Sequence, residues 1–166
     1  MGQERPDRTR LIKLYWGNRA LPGEWKSEEQ IAGILKLDTA EVKELLERYK
    51  IRKRGPWGRA HLIIWSILVD EWNMTYGEDF SYRVKVGSRK YDFYIPEEDI
   101  MININLQSHG PPRLDCHHGT QTVFVLTVSN DEDGLKGLGE QIIEILRQYE
   151  VRRRVVQVVT DDRGVW

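Results

Sequence analysis

Two alternating runs of residues, separated by a four-residue turn, constrain the fold of this chain more than any other feature. The first run covers Lys90 to Ile95, the second covers Ile100 to Ser108, and the turn between them is Pro96-Glu97-Glu98-Asp99. Alternation of apolar and polar side chains is typical of strands that bury one face. The sequence therefore predicts a β-hairpin with one apolar face and one polar face.

The polar face of this hairpin carries an unusual set of side chains. The first strand contributes Asp92, and the second contributes three amides followed by a histidine, which are Asn103, Asn105, Gln107 and His109. The alternate positions, among them Phe93 and Ile102, are expected to face the core. Periodicity alone leaves an ordinary interpretation open, in which the polar face is simply the solvated side of an antiparallel sheet.

The segments around the hairpin predict a mixed α+β domain over residues 57–166. Apolar residues at helical spacing indicate helices from Ala60 to Trp72 and from Gly134 to Tyr149. Residues 110–119 are expected to form a loop. Three further strands are predicted, at Tyr82 to Val86, Thr122 to Val128 and Val155 to Val159.

The first 56 residues predict three short helices. Leu11 and Tyr15 belong to the apolar stripe of the first helix, which is expected to end near Gly17. The second and third helices each begin with a capping pair, Ser27 with Gln30 and Asp38 with Glu41. Their core positions are predicted to be Ile31, Ile34 and Leu35, and Val42, Leu45, Leu46 and Tyr49. The Gly55-Pro56 dipeptide then separates residues 1–56 from residues 57–166 as two domains.

Charge is divided unevenly between these two domains. Residues 1–56 contain 13 Lys or Arg against 9 Asp or Glu, whereas residues 57–166 carry a net charge of −5. The basic domain is the better candidate for contact with phosphate. The longest apolar run, Leu62 to Val69, is too short to cross a bilayer, and the N-terminus lacks a signal-peptide core. With Cys116 as the single cysteine, the sequence predicts an intracellular protein, cytoplasmic or nucleoid-associated.

The segment EEQIAGILKLDTAEVKELLERYKIRKR resembles the helix-turn-helix modules of DNA-binding proteins. The resemblance implies that the third helix enters the major groove of double-stranded DNA. The residues then expected to contact DNA are Thr39, Lys43, Arg48, Lys50, Arg52, Lys53 and Arg54. Against this, Glu41, Glu44 and Glu47 lie along one flank of the helix and would repel a polyanion. A solvated charge run, or a protein-interaction adaptor that presents these glutamates to a basic partner, is the alternative.

The order of elements around YDFYIPEEDIMININLQSHG resembles the restriction-endonuclease-like core of very-short-patch repair and homing endonucleases. In that family an aspartate is followed eleven residues later by a glutamate, then by an acid or lysine, a glycine and a histidine. Carried over residue by residue, the resemblance assigns catalytic positions to Asp92, Asn103, Asn105 and His109. It also implies a core with a central mixed sheet, in which Asp92 binds Mg²⁺. Separately, the row of Asn103, Asn105, Gln107 and His109 can donate and accept hydrogen bonds without repelling phosphate, so this polar face, with Gln107, is predicted to bind DNA without cutting it.

This chain departs from the family pattern where the metal chemistry would take place. Cleavage of a phosphodiester usually needs two carboxylates for Mg²⁺, because a hard dication prefers anionic oxygen. Asn103 offers a neutral carbonyl instead, and Asp99 is roughly 13 Å away along an extended strand. The sequence therefore predicts a nuclease-like domain whose cleavage is lost or weakened, and Mg²⁺ is expected only if activity survives.

A zinc site and the ranking of the candidate functions remain to be considered. Cys116, His117, His118 and His109 suggest zinc, but their spacing is poor, because adjacent side chains such as His117 and His118 rarely ligate one ion and only one thiolate is present. An ordinary loop is the alternative. The leading functional prediction is a DNA-binding protein without strong nuclease activity, and an active Mg²⁺-dependent endonuclease that uses Asp92 and His109 is the second. No membrane partner is expected, and a homodimer or a protein partner is left open.

Overall fold

The computed structural model describes residues 6–118 and 122–153, in which five α-helices and a five-stranded mixed sheet are found. The predicted α+β class is confirmed at this level. The chain divides into two compact units, residues 1–65 and residues 66–166, and the division falls inside a helix. The helix-turn-helix and endonuclease-like architectures remain predictions, as does the domain boundary near residue 56.

The first unit is a cluster of short helices, with α1 at Arg8–Trp16, α2 at Glu28–Leu35 and α3 at Thr39–Arg48. A 3-10 turn at Pro22–Glu24 precedes α2. The capping box predicted for α2 is present, since Gln30 N donates to Ser27 Oγ (3.1 Å) and Ser27 N donates to Gln30 Oε1 (2.8 Å). The core consists of Leu11, Tyr15, Ile31, Ala32, Val42, Leu45, Leu46 and Ile51.

The prediction that Ile34 belongs to this core is wrong, because its side chain is 46% exposed. In an eight-residue helix only one stripe faces α1 and α3, and Ile31 and Ala32 occupy it. Apolar character alone therefore placed Ile34 on the wrong side of α2. The other predicted core residues of α2 and α3 are buried or half-buried.

The helix predicted from Ala60 to Trp72 differs in the structure. Helix α4 covers Gly55–Ser66, five residues earlier at its start, and a π-helical turn at Ile67–Glu71 follows it. Leu62, which was expected to be buried, is 40% exposed. The Gly-Pro pair begins the helix instead of preceding it, in keeping with the preference of proline for the first turn.

The second unit contains the sheet, whose strand order is β1-β2-β3-β5-β4. The strands are β1 (Ser81–Val86), β2 (Arg89–Ile95), β3 (Ile100–Gln107), β4 (Arg113–His118) and β5 (Thr122–Ser129). β3 and β5 are parallel, and the other neighbours are antiparallel. The predicted hairpin is therefore present as β2 and β3.

The prediction of a loop at residues 110–119 is wrong, because β4 occupies most of that segment. Residues 113–118 pair with residues 122–127 of β5 in an unbroken antiparallel register. β4 is the last strand of the sheet among the described residues and contains few apolar residues, so it lacks the alternation that identifies a half-buried strand. The strand predicted at Val155 to Val159 lies outside the described residues.

One face of the sheet forms the core of the second unit together with α5, which covers Glu132–Gln148. The buried strand residues on this face include Phe93, Ile102, Phe124 and Leu126. Helix α5 buries Leu135, Leu138, Ile142, Ile145 and Leu146, the stripe that its sequence predicts. No helix among the described residues is long and apolar enough to cross a membrane.

Candidate functional site

The polar residues of the hairpin meet where the regular pairing of β2 with β3 ends. The last regular pair on this side is Phe93 with Ile102. Beyond it, two side chains take over the hydrogen bonds of the backbone. Asp92 N donates to Asn103 Oδ1 (2.9 Å), and Ile104 N donates to Asp92 Oδ2 (2.9 Å). Asp92 and Asn103 thus bridge the two strands reciprocally.

This bridge limits what Asp92 and Asn103 can offer to a metal. One oxygen of the Asp92 carboxylate and the carbonyl oxygen of Asn103 already accept backbone N–H groups. Burial raises the pKa of Asp92, while the hydrogen bond from Ile104 and the charge of Arg83 oppose that rise. The desolvated carboxylate therefore has one oxygen left for a ligand, fewer than the paired carboxylates with which Mg²⁺ is usually held.

Arg83 lies opposite Asp92 on the neighbouring strand. Its neighbours Tyr82 and Val84 pair with Phe93 and Tyr91, which places Arg83 across from Asp92 in the register. The backbone of Arg83 is left-handed, with a φ of 54°. The positive charge of Arg83 lowers the pKa of Asp92 against the larger effect of burial.

The other predicted residues of this site lie progressively farther along β3. Asn105 is exposed on the same face as Asn103, and Gln107 Nε2 donates to the Pro111 carbonyl (3.0 Å) at the end of the strand. His109 is exposed and follows that end. The strand carries Gln107 roughly 13 Å beyond Asn103. Among residues 6–118 and 122–153, no group of three His, Cys, Asp or Glu side chains is arranged to hold a metal.

A cavity of about 380 Å³ opens beside Asn103 in the second unit. Strand pairing brings part of its lining together, because Asn103 lies opposite Val125 and Val123 lies opposite His117. The complete lining is Arg89, Lys90, Tyr91, Asn103, His117, Val123 and Val125. Sequence reasoning missed Arg89, Lys90 and His117 as site residues, since β4 had to be recognised as a strand before His117 could be placed.

Cys116 and His118 share the other face of β4. The Cys116 Sγ lies 3.4 Å from His118 Nε2 and 3.8 Å from the hydroxyl oxygen of Tyr149. This contact with the thiol, together with burial, raises the pKa of Tyr149. His117 points to the opposite face because successive residues of a strand alternate. The three zinc-type residues of this segment therefore do not converge.

The residues predicted to contact DNA in the first unit fall into two groups. On α3, Lys43 lies 3.8 Å from Glu28, and Arg48 pairs with Glu44 at 2.8 Å, while Thr39 is half-buried at the start of the helix. After α3, Lys50, Arg52 and Lys53 are exposed. None of these three forms an ion pair with a described residue.

Arg54 differs from the other cations of this tail because its side chain turns inward. Its guanidinium donates to the carbonyl oxygens of Tyr15 (2.9 Å) and Lys26 (2.8 Å) and stacks 4.0 Å from the Tyr15 ring centroid. The Arg54 backbone N also donates to Tyr15 Oη (3.1 Å). These contacts fix the tail to the helices, and they use guanidinium N–H groups that a phosphate would need.

Aromatic rings surround the base of the same tail. Trp16 Nε1 donates to the Arg52 carbonyl (2.9 Å), and the Arg52 guanidinium lies 5.2 Å from the Trp57 ring centroid. Trp57 in turn stacks near His61, with 4.2 Å between the ring centroids. The side chains of the tail thus extend from an anchored backbone.

Comparison with known proteins identified no relative of this chain. No protein family, no curated protein and no solved structure matches it.

Proposed function

We propose that this protein binds double-stranded DNA through its first unit, with α3 as the groove-facing helix and the residues after it as a phosphate clamp. The observation that carries the proposal is the exposure of Lys50, Arg52 and Lys53, which have no acidic partner among the described residues. Cations that pair with no carboxylate are available to phosphates without first breaking an ion pair.

The geometry of the tail supports its role as a clamp. Its backbone is held by Trp16 at Arg52 and by Tyr15 at Arg54. A fixed backbone reduces the conformational entropy that the clamp loses when it binds. On α3, Thr39, Lys43 and Arg48 remain the proposed contacts, because exposed ion pairs such as Arg48 with Glu44 are weak and exchange readily for phosphate.

Binding to a labelled 20-base-pair duplex of mixed sequence, measured by fluorescence anisotropy at low salt, tests this proposal. The triple variant Lys50→Gln, Arg52→Gln, Lys53→Gln is expected to bind roughly tenfold more weakly or worse. The matched control removes three exposed cations elsewhere, by Lys13→Gln, Lys136→Gln and Arg147→Gln. Equal losses in the two triple variants would mean that only net charge matters and would contradict a clamp.

The same proposal holds that the second unit has lost or weakened metal-dependent cleavage. The reciprocal bridge between Asp92 and Asn103 supports it, because it engages oxygens that a Mg²⁺ ion would require. We propose that Asn103, Asn105, Gln107 and His109 instead offer hydrogen-bonding groups to DNA. Asn105→Ala, at an exposed position, is expected to weaken duplex binding, and unchanged affinity would remove this face from the interface.

The active endonuclease is the second candidate, because the remaining oxygen of Asp92 is still available to one ion. Nicking of supercoiled plasmid in Mg²⁺ or Mn²⁺ separates the two candidates. The informative variant is Asp92→Asn, since its amide oxygen can still accept the Ile104 N–H. We expect equal, very slow nicking by the wild type and the variant. Rapid nicking by the wild type that disappears in Asp92→Asn would establish the endonuclease.

A further inference from the structure

The cavity beside Asn103 has a lining whose chemistry suits a phosphorylated ligand. Arg89 and Lys90 are exposed at its rim, and neither forms an ion pair with a described residue. None of the lining residues is acidic. Arg89 and Lys90 both line the cavity and attract an anion, and an arginine donates two parallel hydrogen bonds to phosphate oxygens.

The orientation of the Asn103 amide adds neutral donors to these cations. Its Oδ1 already accepts the Asp92 N–H at 2.9 Å, so the amide contributes its NH₂ group to the cavity that it lines. His117 lines the same cavity from β4, and its ring supplies a further donor. The cavity therefore combines the cations Arg89 and Lys90 with further N–H donors, as phosphate sites in proteins commonly do.

The remaining lining residues are apolar or aromatic. Val123 and Val125 are half-buried on β5, and Tyr91 is buried on β2. Apolar side chains of this kind pack against a sugar or the face of a base but offer nothing to an inorganic ion. At about 380 Å³ the cavity falls near the lower end of the range for small-ligand sites, roughly 300–1,000 Å³.

We infer that this cavity binds a nucleotide with a terminal 5′-phosphate, the phosphate at Arg89 and Lys90 and the nucleoside against Val123 and Val125. Two kinds of molecule contain this group, a free mononucleotide and the 5′-phosphorylated end of a DNA strand. The inference deepens the proposed function, and only its strand-end form rests on DNA binding by the protein.

Calorimetric titration of the full chain with 5′-dTMP tests the site, with thymidine and inorganic phosphate as companion ligands. The nucleotide is expected to bind at least tenfold more tightly than either companion, because only dTMP contacts both parts of the cavity. Absence of dTMP binding would overturn the inference. Equal affinity for dTMP and inorganic phosphate would also overturn it, since the apolar part would then contribute nothing.

Two variants locate the binding to this cavity. Lys90→Gln removes one exposed cation, and Asn103→Asp keeps an acceptor for the Asp92 N–H while it replaces the donor with a negative charge. Each is expected to lower the dTMP affinity about tenfold. Lys136→Gln, at an exposed position of α5, is the control and should leave the affinity unchanged. Unaltered affinity in Lys90→Gln and in a correctly folded Asn103→Asp would overturn the assignment.

The source of the phosphate is decided with duplexes that carry a three-nucleotide 5′ overhang, with a 5′-phosphate or a 5′-hydroxyl group. Tighter binding of the phosphorylated duplex supports a DNA end, whereas equal binding alongside dTMP affinity supports a free nucleotide. A blunt duplex with 5′-hydroxyl ends reports on the clamp alone. If that duplex binds and dTMP does not, the inference fails while the proposed function stands. If dTMP binds and that duplex does not, the cavity binds a nucleotide while the proposed DNA binding fails.

Discussion

Two residues of this protein, Asp92 and Arg54, have structural roles that the sequence did not indicate. Asp92 was expected to be a metal ligand, and in the structure its carboxylate also completes the pairing of β2 with β3. Arg54 belongs to a run of cations, yet its guanidinium is bound inside the first unit. In both cases the side chain satisfies backbone groups that would otherwise lack partners.

The raised pKa of Asp92 makes a testable contribution to stability. The pKa of the Asp92 carboxyl is higher in the folded state than in the unfolded state, where it is about 3.9. Protonation of Asp92 therefore stabilises the folded state fully when the pH is below the unfolded-state pKa. This contribution is lost as the pH rises through the folded-state pKa. The Asp92→Asn variant has no titrating group at this position, so residue 92 contributes nothing to the pH dependence of its stability. Urea unfolding between about pH 3.5 and 7 should therefore show the variant gaining stability relative to the wild type as the pH rises.

The matched control for Asp92→Asn is Glu140→Gln, which removes one exposed carboxylate from α5. A difference between the wild type and Asp92→Asn that stays constant with pH would contradict the role of burial at Asp92.

The inward contacts of Arg54 predict a loss of stability on conservative substitution. Arg54→Lys keeps the charge but cannot donate to the Tyr15 and Lys26 carbonyls in the same geometry or stack as a plane on the Tyr15 ring. We expect about 1–3 kcal/mol of destabilisation in urea unfolding. Lys53→Ala, at the exposed neighbour, should change stability by less than about 0.5 kcal/mol. Similar small effects for both variants would contradict a structural role for Arg54.

At the scale of elements, local signals located α2, α3, α5 and the hairpin, but they misplaced the start of α4 and did not identify strand β4. Helix α5 follows from its apolar stripe, and its first turn is capped by Asp131, whose Oδ1 accepts from Gly134 N (2.8 Å). Hydrogen bonds from Gly134 and Ser129 lower the pKa of Asp131. Strand β4, in contrast, depends on β5 for its hydrogen bonds.

Two glycines of α5 provide a matched test of how tightly this element approaches the sheet. A Cβ at Gly134 would overlap the carbonyl oxygen of Ser129 at the end of β5, whereas a Cβ at Gly137 would meet no atom within 4 Å. Gly134→Ala is therefore expected to destabilise the protein by about 2 kcal/mol. Gly137→Ala should stabilise it by about 0.5–1 kcal/mol, because alanine favours the helix. Thermal unfolding of the two variants measures both effects, and a shift in the same direction would refute this view of the contact.

At the scale of the whole molecule, the uneven charge distribution is the property most relevant to function. The net charge of the chain is −1, yet residues 1–56 are basic and the clamp cations lie among them. Charges are screened over about 10 Å at 0.1 M salt, so a bound phosphate senses mainly the charges nearest to it. Local charge, and not the net value, should therefore govern binding.

The salt dependence of DNA binding tests this view. Each phosphate neutralised by the protein contributes a slope of about −0.9 to the plot of log affinity against log salt concentration. The triple variant at Lys50, Arg52 and Lys53 should reduce the magnitude of the slope by up to roughly 2.7. The control triple variant at Lys13, Lys136 and Arg147 should leave the slope close to that of the wild type, and a matching reduction there would contradict the clamp.

The sequence by itself determined the elements whose information is local. Side-chain periodicity and capping residues specify α2, α3, α5 and the β2–β3 hairpin, because these structures form bonds between residues close in the chain. Tertiary structure alone decided where β4 pairs, which side of α2 buries its apolar residues, and that Asp92 and Asn103 bond each other's strands. It also brought His117 and Asn103 to the same cavity from the two sides of β5, since contacts between strands distant in sequence depend on the register of the sheet, which no local pattern records.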